Sequence, residues 1–409
     1  MSLLGRIKEA VGKRLPGRRP PAALDRPPSF RHRNFFLMLH PTRVRADSLR
    51  PTATFGLGLI SLALLLILAA TGVLLMFHYV PSTDPQQGAY ASIQELHHAI
   101  AYGQLVRSMH RWAADLLVVV VFLHLCRVFL RGAFKPPRRF NWVIGALLLI
   151  LVLAESFSGQ LLPWDQHSYW AVEVGTRLLA AVPWAGEPLR RLVLGGGDIG
   201  QLALVRFYGL HVFVLPLALL VLLAAHLWRI RQAGGLAQRC ENEGAAAVEP
   251  PTVPAWPHLV LRETAILVAC LLVVMVLALV WSAPLGERAD PAHPPTPVKA
   301  AWFFLWLQEL VSYDYGPLMR LHWPPWNSAG PTLGSEFWGG VLAPAVCFAV
   351  LLLVPYANPR PRRAGVGIYF ARERRRACLV FCAVMAAIAA LTVIGYFFRG
   401  PDWRLVWPW

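Results

Sequence analysis

Seven long apolar runs divide this sequence, and they constrain its fold more than any other feature. A run of about 20 mostly apolar residues crosses a bilayer core of ~30 Å as one α-helix. Backbone inside lipid must be helical or belong to a closed barrel, and no strand pattern competes with the helical one. Only 15% of the residues are charged, against about 25% in soluble domains. We therefore predict an all-α integral membrane protein with spans near 53–79, 104–130, 141–161, 207–230, 261–283, 337–355 and 377–398.

The basic residues predict how these spans are oriented. The formal net charge is +17, and the arginines and lysines concentrate in the N-terminal segment and in the second–third, fourth–fifth and sixth–seventh connections. With seven spans these four segments share one side, which the positive-inside rule makes cytoplasmic. Because no basic stripe with interleaved aromatic residues is present, no nucleic-acid partner is expected. The sequence predicts a multi-pass protein of a bacterial inner (plasma) membrane with its N-terminus in the cytoplasm.

The segments between the spans predict four parts. Residues 1–50 form a basic cytoplasmic N-terminal segment, residues 51–234 a four-helix unit, residues 235–258 a linker, and residues 259–409 a three-helix C-terminal unit. The linker is polar and then Pro-rich, which is typical of a boundary between units. The expected architecture is a four-helix transmembrane bundle plus three further transmembrane helices.

Four histidines stand inside two of the predicted spans. His110 and His124 are fourteen residues apart in the second span, and His211 and His226 are fifteen apart in the fourth. At 100° per residue each pair returns to nearly one helix face, roughly 40° and 60° off, with roughly 21–23 Å between its members. The second and fourth spans run parallel, so His110 lies level with His211, and His124 with His226.

Two imidazoles that face each other at one depth are what bis-histidine haem ligation needs. Packing between helices is the simpler alternative. However, ionisable side chains inside a bilayer are costly, and four of them at matched depths are hard to assign to packing. We therefore predict that the four-helix unit is a dihaem bundle, in which these histidines are the metal ligands of two b haems.

Glycines repeat the haem interval on the two remaining spans of this unit. Gly58 and Gly72 are fourteen residues apart in the first span, and so are Gly145 and Gly159 in the third. Glycine lets a flat macrocycle approach the backbone closely, but it is also common at helix interfaces, so both interpretations stay open. Three arginines flank the ligands and are candidates to pair haem propionates: Arg107, Arg111 and Arg127. Arg127 is equally well placed as a topology charge.

These features closely resemble the cytochrome b/b6 family of quinol–cytochrome c and quinol–plastocyanin oxidoreductases. The resemblance covers about residues 50–310 well and the last two spans loosely. The matching stretches are Arg107-Ser-Met-His-Arg-Trp112, His124-Leu-Cys-Arg127, Pro163-Trp-Asp-Gln166, Arg206-Phe-Tyr-Gly-Leu-His211 and Pro216. The histidine spacing is similar to that of the chloroplast-type branch. In that branch the four-helix cytochrome and a three-helix subunit are separate chains, whereas here they are fused.

The resemblance implies the cytochrome b subunit of a respiratory or photosynthetic bc-type complex that runs a Q cycle. By it, His110 and His211 hold a low-potential haem on the outer side, and His124 and His226 a high-potential haem on the cytoplasmic side. Quinol is oxidised in an outer pocket formed by the third–fourth connection and the fifth–sixth loop. Quinone is reduced in a cytoplasmic pocket that contains Arg231. The implied partners are a Rieske iron–sulfur protein, a c-type cytochrome, membrane lipid and a second copy of the complex in a homodimer.

Two departures from the family pattern matter. Gly56 stands where the chloroplast-type branch attaches an extra haem through a cysteine, so a covalent third haem is not expected. The family motif Pro-Glu-Trp-Tyr in the fifth–sixth loop is Ala300-Ala-Trp302-Phe303 here. Its glutamate, thought to accept a quinol proton, is missing.

A substitute proton acceptor must lie within hydrogen-bond reach of the quinol. We place Trp302 and Glu309 in the catalytic site and hypothesise that Glu309 accepts the proton, with Asp314 and His293 as alternatives. A membrane-surface charge is an equally good interpretation of Glu309.

Three functions stay open at this point. The chain is a bifurcating quinol-oxidising subunit, a dihaem electron conduit with one working quinone site, or a scaffold for redox partners. The lost glutamate favours the conduit, and the four histidines argue against the scaffold. Residues 312–336 are long, aromatic and Pro-rich, and they form either an insertion that docks a partner subunit or a plain interfacial loop. The C-terminal residues 403–409 are typical of an interfacial aromatic anchor.

Overall fold

The structure is a computed structural model that describes residues 40–237, 251–295, 299–322, 324, 332–357 and 365–398. Within these residues, seven helices are long and apolar enough to cross a membrane. The all-α membrane class is therefore confirmed. Most of the predicted N-terminal segment, residues 238–250 of the linker, part of residues 312–336 and the C-terminal aromatic anchor lie outside the described residues.

Eleven helices are labelled in chain order among the described residues, and shorter turns of helix connect some of them. Their bounds are α1 Leu57–Met76, α2 Ala89–His98, α3 Gly103–Leu130, α4 Arg139–Gln160, α5 Gln166–Ala180, α6 Gly186–Leu194, α7 Gln201–Gln232, α8 Ala255–Val280, α9 Leu305–Val311, α10 Glu336–Ala357 and α11 Arg372–Phe397. Two strands, β1 Arg43–Arg45 and β2 Thr252–Pro254, pair in antiparallel register. The seven long helices (α1, α3, α4, α7, α8, α10 and α11) coincide with the predicted spans to within a few residues.

The main core joins helices from both predicted units. Ala63, Leu64 and Ile67 of α1 pack against Leu117 of α3, and Val274 of α8 belongs to the same buried cluster. Most other apolar span residues stay exposed, for example Leu220 at 65% and Val280 at 60%. Lipid satisfies such side chains, so helices in a membrane need to bury only the faces that they share. The fifth span therefore packs as part of the first bundle, although the linker precedes it.

The connections between spans gather at two ends of the bundle, as the alternation of seven spans requires. At one end β1 pairs with β2, and Arg131 after α3 donates to the Gly367 carbonyl before α11. At the other end the Gly286 amide donates to the Asp165 carboxylate, and the Tyr90 hydroxyl donates to the Gly286 carbonyl. We call the first end the arginine side and the second the loop side.

Short helices build the loop side. Asp165 caps α5 through a hydrogen bond from the Ser168 amide, and the two residues form a capping box. The α9 helix packs against α11 and the first turns of α10. Glu309 in α9 is only 1% exposed. The alternative that Glu309 is a membrane-surface charge is therefore wrong, because its side chain lies inside this packing.

Candidate functional site: two pairs of facing histidines

The structure brings His110 of α3 and His211 of α7 face to face near the loop side. Their ring centroids are 6.2 Å apart and the rings are inclined by 74°. A metal–imidazole bond of about 2 Å on either side of one ion predicts a centroid separation of about 6 Å. The spacing of this loop-side pair therefore fits bis-histidine binding of one haem iron.

Hydrogen bonds fix the tautomer of both rings in the loop-side pair. The Thr71 hydroxyl donates to the Ile67 carbonyl, so its oxygen accepts from Nδ1 of His110 at 2.9 Å. The Ser158 hydroxyl donates to the Glu155 carbonyl, and Nδ1 of His211 donates to this hydroxyl oxygen at 3.2 Å and to the same carbonyl at 3.1 Å. With the proton held at Nδ1, the lone pair of Nε2 is available for a metal, which is the usual role of such outer hydrogen bonds.

His124 of α3 and His226 of α7 form the second pair, toward the arginine side. They interact electrostatically with each other. Nδ1 of each ring is buried and meets no hydroxyl group among the described residues, although the backbone of Asn141 lies within reach of His226. The two pairs therefore share an architecture, but only the loop-side pair has its ring orientation set by hydroxyl groups.

Each of the four predicted glycines lies against one of the four imidazoles. A methyl group at Gly72 would stand 3.3 Å from Cε1 of His110, and one at Gly159 would stand 2.5 Å from Cε1 of His211. On the arginine side, Gly58 faces Cε1 of His124 at 3.6 Å and Gly145 faces Cε1 of His226 at 3.3 Å. The glycines thus leave room on α1 and α4 for the imidazole rings. The same four glycines therefore suit both alternatives, close packing between helices and close approach of a macrocycle.

A local change of helix type accounts for the unequal spacing of the histidines. The Leu210–Val214 segment of α7 is a π-helix, and Pro216 follows directly. A π-turn takes up one extra residue, and Pro216 lacks the amide that would continue the α-helical hydrogen bonds. A fifteen-residue interval that contains one π-turn therefore orients its two histidines as a fourteen-residue interval of regular helix does. Without the π-turn, the angle between the two histidines of α7 would differ by about 100° from the angle between those of α3.

The predicted arginines lie in different surroundings. Arg107 donates to Nε2 of His97 at 2.7 Å and to the carbonyls of Ala283 and Pro284, which ties the loop after α8 to α3. Burial, and secondarily the charge of Arg107, lower the pKa of His97 to about 4, so this ring is a neutral acceptor near pH 7. Arg127 donates to the Ala53 carbonyl, and Arg231 lies in the last turn of α7. Their roles toward haem or quinone stay predictions.

Two acids inside the spans were missed in the sequence. Glu155 of α4 places Oε1 at 3.6 Å from Nδ1 of His211. Asp115 of α3 accepts hydrogen bonds from Arg111 and from the indole of Trp302. An acid in an apolar span is itself a signal of function, because it is costly there.

Trp302, Ala301 and Phe303 occupy the segment that carries the family motif. Ala301 and Phe303 are buried in the main core, and Trp302 packs against the same cluster. Gly56 begins α1 with a left-handed backbone, φ +68°, so a glycine is favoured there on conformational grounds.

Comparisons with known proteins place this arrangement in a family. The family model described as "Cytochrome b/b6/petB" matches residues 46–234. Cytochrome b6 of Synechocystis sp. is 42% identical over 180 residues, which is 44% of this chain and 80% of that protein. The chain belongs to the cytochrome b/b6 family. Cytochrome b6 of Synechococcus elongatus is 41% identical over 180 residues, covering 44% of this chain and 82% of its own length.

The similarity extends beyond the four-helix part at the level of structure. A chain of a solved structure described as "Hyperthermophilic respiratory Complex III" superposes with a TM-score of 0.69 at 26% identity, over 88% of both chains. The matched cytochrome b6 proteins thus cover less than half of this chain, whereas the structural neighbour covers nearly all of it.

Proposed function

We propose that this chain is the cytochrome b subunit of a quinol-oxidising bc-type complex, in which electrons cross the membrane between two b haems. The observation that carries the proposal is the facing pair His110 and His211, together with the interacting pair His124 and His226 at a second level of the bundle. The 6.2 Å centroid separation of His110 and His211 and the four glycines against the ligand rings support it. A b haem supplies one-electron chemistry by cycling between ferric and ferrous iron.

The residues of this chain hold and insulate those centres. Thr71 and Ser158 keep the protons of His110 and His211 on Nδ1. The apolar core between the levels, which includes Leu117 and Val118 of α3, excludes water from the path. A low-dielectric environment of this kind raises the energy of any unpaired charge, so electrons rather than ions are the charge that crosses.

The quinone sites are assigned to the two ends of the bundle. We place quinol oxidation on the loop side, where Trp302 and the segment 163–166 lie, and quinone reduction on the arginine side near Arg231. By the positive-inside rule the arginine side is cytoplasmic, so the loop side faces outward across a bacterial plasma membrane. The partners are a Rieske iron–sulfur protein, a c-type cytochrome and a second copy of the complex.

The experiment that tests this function is oxidant-induced reduction of haem b in the isolated complex. Quinol is supplied, the arginine-side quinone site is blocked, and an oxidant pulse is given while the haem b absorbance is followed. If quinol oxidation is bifurcated, haem b becomes reduced when oxidant is added. A redox titration with two bis-histidine b haems is expected beside it.

The second candidate is a dihaem conduit that exchanges electrons with quinone at one side only. Ala301 in place of the family glutamate favours it. A complex that titrates as two b haems but shows no oxidant-induced reduction has this function, and the bifurcating proposal is then withdrawn.

A further inference from the structure

Asp115 is a carboxylate inside α3 that contacts the quinol-site segment. It stands five residues past His110 toward the arginine side, and its side chain is 17% exposed. The Trp302 indole donates to Oδ1 at 3.0 Å, and Nε of Arg111 donates to Oδ2 at 2.9 Å. A carboxylate at membrane depth is costly unless it is paired or functional. The ion pair with Arg111 balances the charge of Asp115 but does not explain why a carboxylate stands at this position.

Asp115 lies where it can supply the carboxylate that Ala301 lacks. Trp302 follows Ala301 directly, and both side chains belong to the apolar cluster that also includes Trp112 and Leu116 of α3. The segment therefore brings its aromatic residues, but not a carboxylate, to the face of α3 that carries Asp115. An acid supplied by α3 stands next to the place that the family fills from the loop.

We propose that Asp115 accepts a proton from the quinol hydroxyl at the loop-side site, an inference that rests on the proposed function. Each carboxylate oxygen has two acceptor positions, and Trp302 and Arg111 use one on each. The remaining positions receive the quinol O–H.

The reaction balances as follows. Oxidation of one quinol to quinone breaks two O–H bonds and releases two protons and two electrons. One proton goes to Asp115 and the other to water on the loop side. The two electrons would be accepted one at a time, by an iron–sulfur partner and by a haem held by His110 and His211, as the proposed function requires.

Several charged or titratable groups lie around Asp115. Nε of Arg111, on the same helix, donates to Oδ2 of Asp115 at 2.9 Å. Trp302 faces it from the loop and does not titrate. His167 of α5 lies within electrostatic reach of Arg111 and Asp165, and burial lowers its pKa, which leaves it neutral at pH 7. Arg107 is within reach of the same two residues.

Other candidate acids are placed less favourably. Glu309 is 1% exposed inside the α9 packing. Asp314 is exposed and accepts from the Gly316 amide, and His293, 82% exposed, pairs with Asp290.

The test compares Asp115→Asn and Asp115→Glu in the isolated complex. Asn can still accept the Trp302 hydrogen bond, but it takes no proton at working pH. General-base catalysis contributes about 10²–10⁴-fold, so Asp115→Asn is expected to slow quinol oxidation at least 100-fold and to remove the acid limb of the pH profile. Asp115→Glu is expected to stay within about tenfold, with that limb moved slightly upward because glutamate has the higher ordinary pKa.

The matched control is Glu187→Gln. Glu187 accepts from Nε of Arg191 at 2.9 Å, one helical turn away, which is the same kind of pair as Asp115 with Arg111. This variant is expected to keep the wild-type rate and pH profile. The b-haem spectrum and potentials, measured for each variant, show that the bundle is intact.

Three results overturn the inference. Asp115→Asn within twofold of wild type, with an unchanged acid limb, shows that the carboxylate only neutralises Arg111. Glu309→Gln slowing the reaction 100-fold, while Asp115→Asn does not, assigns the proton to α9. If Asp115→Asn loses haem, Asp115→Glu becomes the test. An acid limb of the pH profile that does not move in Asp115→Glu then overturns the proposal. Failure of the wild-type complex to reduce haem b on an oxidant pulse rejects the proposed function itself.

Discussion

The two histidine pairs have the same scaffold and different surroundings. In the loop-side pair, hydroxyl groups of Thr71 and Ser158 hold the Nδ1 protons of the ligands. In the arginine-side pair, Nδ1 of His124 and His226 has no hydroxyl partner among the described residues. The sequence mirrors this difference, because a hydroxyl residue precedes Gly72 and Gly159, whereas leucine and isoleucine precede Gly58 and Gly145.

With a haem bound at each pair, as proposed, this difference is expected to set the potentials of the two centres apart. A hydrogen bond accepted from Nδ1 raises the basicity of the ligating nitrogen, and a more basic ligand stabilises ferric iron. The loop-side haem is therefore expected to have the lower potential. On the proposed function, the bundle would provide a downhill path from the loop side to the arginine side through the neighbours of the four histidines, while the histidines themselves stay the same.

The largest effect is expected when a histidine of α7 is rotated out of line with its partner on α3. Deleting Ala224 removes a residue from the regular part of α7 and rotates His226 by about 100° relative to His211, so one haem is expected to be lost. Deleting Val214 removes a residue from the π-segment and restores a regular interval, so both haems are expected to remain. Haem-to-protein ratios and reduced-minus-oxidised spectra measure this. Equal losses in the two deletions contradict the role given to the π-segment.

The next effect sharpens the contrast between the glycines. Gly159→Ala puts a methyl group 2.5 Å from the His211 ring, whereas Gly58→Ala puts one at an ordinary 3.6 Å from the His124 ring. Overpacking of this kind costs about 1–3 kcal/mol, so Gly159→Ala is expected to weaken loop-side haem retention roughly tenfold or more. Gly58→Ala is expected to retain the arginine-side haem. Haem loss on dilution, followed by spectroscopy, is the measurement, and greater loss from Gly58→Ala refutes the ranking.

A smaller effect concerns the hydroxyl groups. Thr71→Val and Ser158→Ala each remove an acceptor worth about 1 kcal/mol net, which is roughly 40 mV for a one-electron couple. Each variant is expected to raise the loop-side midpoint potential by about this amount and to leave the arginine-side potential unchanged. Redox titration separates the two centres. Equal shifts in both speak against the local explanation.

The smallest effect is expected when a hydroxyl group is added beside the arginine-side pair. Ile144 precedes Gly145 as Ser158 precedes Gly159, so Ile144→Ser brings a hydroxyl toward His226. The arginine-side midpoint potential is expected to fall by about 20 mV. This is less than a well-formed hydrogen bond would give, because the surroundings of His226 are not arranged for a hydroxyl partner. An unchanged potential, with haem content retained, indicates that ring position and not the neighbouring hydroxyl controls the centre.

Much of this organisation was predictable because its signals are periodic. Seven apolar runs predicted the spans, and the histidine and glycine intervals predicted the level at which His110 meets His211, with Gly72 and Gly159 beside them. The buried position of Glu309 and the contact between Asp115 and Trp302 were not predictable. Each depends on how a loop folds back onto a helix that is distant in the sequence.

The sequence by itself determined the membrane class, the number of spans and the pairing of the four histidines, because hydropathy and helical period are local properties. Only the tertiary structure decided that the fifth span shares the core of the first bundle and that a π-turn before Pro216 brings fifteen residues into step with fourteen. Only it placed hydroxyl groups beside one pair and a span carboxylate beside Trp302. These features arise from side chains that meet across helices, and no spacing along the chain specifies them.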